Sequence, residues 1–145
     1  MRVSPRIVAA ATAVLVAGGL LTAAPPANAA TVTEFVYVVN NLSERLVVHV
    51  GETNATYGLA AGGEHWLNIR APWVGNQGEM GKSITIQRGT RTIYWVFQDY
   101  WNAQDQIKYS TTNSYEQSVP VAGKSTGGGE RRLTIVVNGS LFIDD

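Results

Sequence analysis

From Thr31 onward, apolar residues recur at every second position, and Gly, Asn or Pro interrupts them about every ten residues. Successive side chains of an extended chain point to opposite faces, so this period specifies strands. No ten-residue stretch beyond residue 30 carries a helical stripe. The alternation predicts strands over Thr31–Asn40, Arg45–Val50, His65–Arg70, Lys82–Arg88, Arg91–Gln98, Gln106–Ser110 and Arg131–Val137. A further strand follows the Asn138-Gly139 turn and ends near Ile143.

Thr31–Asn40 is apolar on both sides, with Phe35, Tyr37 and Val39 on one and Val36 and Val38 on the other. That places it inside a sheet. Asn40-Asn41 and Ser43 suggest a hairpin to Arg45–Val50, and Gly89-Thr90 a second hairpin within Ser83–Gln98. Ala71–Gly81 is the longest clear loop. About eight short strands with turns between them predict an all-β fold, a two-sheet antiparallel β-sandwich, with a small β-barrel as the alternative.

The first thirty residues have a different character. Arg2 and Arg6 precede an uncharged stretch, Ile7 to Ala24, and Ala27-Asn28-Ala29 is a small-x-small cleavage site. The expectation is a bacterial signal peptide over 1–29 and a single secreted domain over 30–145. Without Arg2 and Arg6, nine basic residues face eleven acidic ones. A slightly acidic chain with scattered charge lacks the basic surface of a nucleic-acid binder. No long apolar run follows the leader, so no membrane anchor is expected in the mature chain. Cysteine is absent, which excludes disulfides and leaves burial alone to hold the fold.

Nothing in the chain spells out a catalytic set. Only His49 and His65 could serve as imidazole bases, and neither accompanies a Gly-x-Ser-x-Gly elbow. Gly81-Lys82-Ser83 resembles the end of a phosphate loop, but Asn76 stands where glycine is required. Asp99 and Asp105 read as turn-capping aspartates in preference to a glycosidase pair. No catalytic residue, metal ligand or cofactor is assigned.

The aromatic distribution stands out. Four tryptophans and six tyrosines all lie beyond residue 30. Alternation assigns Trp95 and Phe97 to the core. Trp73 sits after Pro72 in the glycine-rich loop, and Gln98-Asp99-Tyr100-Trp101-Asn102 interleaves rings with amide and carboxylate groups at a strand end. A ring face suits the CH-rich face of a sugar, and the polar side chains suit its hydroxyls. The candidate ligand-binding residues are therefore Trp73, Gln98, Asp99, Tyr100, Trp101 and Asn102. The expected partner is a carbohydrate, such as a wall polysaccharide. A secreted protein is the alternative partner, with the glycine-rich Lys124–Arg132 loop as a mobile contact, and a small hydrolase is the third reading.

Val39-Asn40-Asn41, a strand, and then Leu59-Ala60-Ala61-Gly62-Gly63-Glu64-x-Trp66 is loosely similar to the opening of thaumatin-like proteins. The similarity covers less than half of residues 30–145, the family's cysteines are missing, and no site residue is carried over from it.

Overall fold

A computed structural model describes residues 31–102, 105–136 and 140–145. The expected leader over 1–29 and the Asn138-Gly139 turn lie outside the described residues. Two sheets pack face to face, and both have open ends, so the fold is a sandwich and not a closed barrel. In chain order the strands are β1 (Thr33–Asn40), β2 (Leu46–Val50), β3 (Ala55–Leu59), β4 (Glu64–Arg70) and β5 (Trp73–Val74). After a 3-10 turn (Gln77–Lys82) come β6 (Ile84–Arg88), β7 (Arg91–Asp99), β8 (Gln106–Ser110) and β9 (Val119–Pro120). The last three are β10 (Ala122–Gly123), β11 (Gly129–Ile135) and β12 (Leu141–Asp144).

One sheet runs β9-β8-β7-β6-β2-β3, with β5 added beside the end of β7; the other runs β10-β12-β11-β1-β4. Most pairs are antiparallel. Among the described residues three are parallel: β1 with β11, β10 with β12 and β5 with β7. The β6–β7 hairpin forms as the sequence predicts, with Gly89 supplying a left-handed φ of 64° at its turn.

The expected hairpin between the first two strands does not form. β1 and β2 belong to different sheets, and buried Asn40 makes the corner between them. Its Nδ2 donates to the carbonyls of Glu44 (2.8 Å), Leu59 (3.2 Å) and Ala60 (3.2 Å), while its Oδ1 accepts from the Leu42 N–H (2.9 Å). A side chain that saturates this many backbone groups can turn the chain out of one sheet and into the other without stranding buried polar atoms.

Regular alternation also fails within β1. Register shifts against both β11 and β4 occur between Phe35 and Tyr37. Phe35 and Val38 consequently share the core, while Tyr37 and Val39 turn outward, half-buried. β3 carries no apolar run for the pattern to mark, because Thr56 and Gly58 flank Tyr57 on this edge strand.

The main core fills the space between the sheets, with Phe35, Leu46, Leu59, Ile86, Ile107 and Ile143 all at 0–1% exposure or fully enclosed among their neighbours. Each such side chain contributes about 1.5–3 kcal/mol on burial. A second, smaller cluster of Val74, Met80, Phe97 and Tyr115, with Trp95 packed on it, lies on the opposite face of β7. It is covered by the segment from β5 to the 3-10 turn and by the residues around Tyr115. The expected loop 71–81 is thus a lid over the sheet, and it buries Phe97 as alternation required. The Lys124–Arg132 region, expected to be mobile, is pinned: Ile107 N–H donates to Ser125 O (2.6 Å), Gly127 N–H to Asp105 O (2.5 Å) and Gly128 N–H to Thr33 Oγ1 (2.6 Å).

Candidate functional site

β7 ends at Asp99, whose carboxylate is fully buried. Its Oδ1 accepts the backbone N–H groups of Trp101 (2.8 Å) and Asn102 (3.2 Å) and the Tyr115 hydroxyl (2.8 Å). Oδ2 receives Lys108 Nζ at 3.0 Å. Lys108 is itself buried on β8, opposite Phe97, with its ammonium 5.4 Å from the centre of the Tyr115 ring. Tyr115 stacks in turn on Phe97 at 5.9 Å. A buried carboxylate is tolerable only when paired and fully hydrogen-bonded, and this one is both. Burial, and then the bond to Asp99, pushes the Tyr115 hydroxyl up to about 12. The two N–H bonds close an Asx-type turn that fixes the backbone of Trp101 and Asn102.

Tyr100 leans the other way. Its ring packs flat on Gly75, where any Cβ would overlap it, and its hydroxyl donates to Glu79 Oε1 at 2.6 Å. Burial first and this bond second push Tyr100 up to about 12. Burial favours protonation of Glu79, but the Tyr100 hydroxyl, the Gly75 N–H (2.9 Å) and the Lys82 ammonium (3.3 Å) outweigh it and hold the carboxyl below its ordinary value.

The six residues singled out in the sequence divide by exposure. Trp101 is 74% exposed and Asn102 is exposed beside it. Trp73 and Tyr100 are half-buried, and Trp73 lies in register with Gln98 across the parallel β5–β7 pair. Gln98 and Asp99 are inside the protein. Gln98 Nε2 donates to Thr31 O (3.1 Å) and Asp105 O (3.4 Å), and Asp99 is committed as described. The four consecutive residues from Asp99 to Asn102 thus form one turn in which a buried member holds the exposed ones.

A second aromatic surface escaped the sequence reading. Trp66 is 65% exposed on the outer face of β4, and Tyr37 meets it edge to face with ring centres 4.8 Å apart. Trp66 alternates with Leu67 and Ile69, which was a usable signal. Tyr37 was hidden because the irregularity at Val36 inverts its face. In register across four strands lie Trp66, Tyr37, Arg132 and Asp144.

Neither histidine is in the aromatic pairs, although His65 precedes Trp66 on β4. His49 Nε2 shares a 2.8 Å hydrogen bond with Asn54 Oδ1, and His65 Nε2 is buried with no partner among the described residues. Among the described residues, no three His, Asp or Glu side chains gather as a metal-holding group. No family model, curated protein or solved structure shows significant similarity to the chain.

Proposed function

We propose that this chain is a secreted, non-catalytic binding protein whose ligand is a glycan, with wall polysaccharide as the substrate class. Trp101 and Asn102 make the contact, and Trp73 and Tyr100 flank them. The observation that carries the reading is the 74% exposed indole of Trp101 on a turn locked by a buried carboxylate. An exposed indole offers a large apolar face, and one fixed in place loses little freedom when a ligand covers it. Asn102 adds an amide that can both donate to and accept from sugar hydroxyls.

The test is a pull-down on insoluble polysaccharides. Trp101→Ala should weaken retention at least tenfold while leaving stability within about 0.5 kcal/mol, since the ring is outside the core. Retention equal to that of the unmodified protein would refute the site. Edman sequencing of the protein from culture medium should begin at Ala30.

A further inference from the structure

We infer that the outer face of the five-stranded sheet holds a second saccharide-binding site, for a neutral polysaccharide chain, centred on Trp66 and Tyr37. It rests on the reading above for its ligand class and on separate residues for its evidence. A shallow depression of about 340 Å³ is lined by Val36, Tyr37, Trp66, Glu130, Arg131 and Asp145. That volume lies within the usual range for small-ligand sites, about 300–1,000 Å³. One wall is aromatic and aliphatic, from Trp66, Tyr37 and Val36, and the other carries Glu130, Arg131 and Asp145.

Two features select the ligand. First, Arg131 Nε is a buried donor with no partner among the described residues, although the Nη1 of the same side chain reaches Asp145 at 3.4 Å. Leaving a buried donor unpaired costs about 1–3 kcal/mol, and a small rotation of this 19% exposed side chain would bring it to an acceptor on a ligand. Second, the cations around the rings are already paired, and of the carboxylates only Glu130 lacks an ion-pair partner among the described residues. Arg132 places Nε and Nη2 each 3.0 Å from the two oxygens of Asp144, and its Nη1 lies 3.4 Å from Glu64. Lys124 pairs with Asp145.

A polyanion would find no unpaired guanidinium here, and a polycation only the single carboxylate of Glu130. Hydroxyl groups, which donate and accept at once, match such a surface, while the indole face takes the sugar's CH groups. The stripe Trp66–Tyr37–Arg132–Asp144 crosses four adjacent strands, which gives it a length of about 14 Å at ordinary strand spacing. It is suited to an extended chain more than to a single ring.

The experiment is an NMR titration of the indole N–H signals, using hexasaccharides of cellulose, xylan, β-1,3-glucan and chitin, with polygalacturonate as the charged comparison. It is run on the unmodified protein and on Trp101→Ala, Trp66→Ala and Arg131→Lys. The Trp66 signal should shift with at least one neutral fragment, and should still shift in Trp101→Ala. Affinity read from the Trp66 signal should fall at least tenfold in Arg131→Lys, which keeps the charge and loses Nε, and in Trp66→Ala the backbone amide shifts of Tyr37 and Arg132 should no longer respond. A shift of Trp101 alone would overturn this site and leave the first reading standing; a shift of Trp66 alone would do the reverse. A Trp66 signal unmoved by every neutral fragment, moved only by polygalacturonate, or moved by protein concentration without sugar would overturn the inference. The last outcome would assign the face to a second copy of the chain.

Discussion

Lys108 Nζ stands 3.0 Å from Asp99 Oδ2 at the edge of a small aromatic cluster, joining β8 to the turn that leaves β7. The lysine side chain is 11% exposed and the aspartate is fully enclosed. The pair therefore ties the position of Trp101 to the packing of Phe97 and Tyr115.

Removing one partner of this pair should cost much more than removing both. Lys108→Met leaves a buried carboxylate without its counter-charge and should destabilise the protein by about 3–5 kcal/mol. In Asp99→Asn/Lys108→Met the amide oxygen still accepts the Trp101 and Asn102 N–H groups, and a substantial part of that loss should return. Urea denaturation of the two variants decides the point; equal destabilisation would mean that the ion pair is not what holds the turn.

Alkaline pH should loosen the same region. Tyr100 and Tyr115 rise from 10.0 to about 12 in the folded protein. A raised folded value means that the stabilisation is complete below pH 10 and is lost as pH climbs toward about 12. Tyrosinate absorbance should show these two hydroxyls ionising above the ordinary tyrosine range, together with a fall in unfolding free energy across that window. Tyr115→Phe should flatten the fall.

Asn40→Ala should be among the most damaging single substitutions. It leaves three backbone carbonyls and one N–H without the partners they have now. With about 1–3 kcal/mol for each buried polar group stranded, a total loss of about 3 kcal/mol or more is expected. Thermal unfolding measures it. Asn40→Asp keeps the acceptor for Leu42 but loses the donors, and should rescue little.

Gly75→Ala tests the packing under Tyr100. The added methyl would overlap the tyrosine ring, so the ring must move and its hydroxyl must leave Glu79. A cost of about 1–3 kcal/mol is expected from overpacking. Because Glu79 then loses a donor that holds its carboxyl down, its titration should move up, which carboxyl NMR shifts would report.

The strand content and the β6–β7 hairpin were legible because both depend on local signals: the period-two pattern and a glycine at the turn. The corner at Asn40 was not legible. An Asn-Asn pair after a strand is equally compatible with a hairpin, and only the distant carbonyls of Leu59 and Ala60 distinguish the two outcomes. The exposed position of Trp101 could be inferred from its place beyond a strand end. The role of Asp99 could not, since its partners Lys108 and Tyr115 are fixed by cross-strand register and by a remote loop. Reading Tyr37 with Phe35 failed for one reason, the irregularity at Val36, which no residue type announces.

The pairing of β1 with β11 has a consequence for the order of assembly. The strand nearest the start of the fold is held on one side by residues 129–135, so its sheet remains open until nearly the whole chain exists. Contacts this far apart in sequence pay their loop-closure entropy late, and folding on the millisecond-to-second scale typical of all-β domains follows. Nascent chains that stop before residue 129 would expose one long edge of Thr33–Asn40, a template for aggregation that the finished protein conceals.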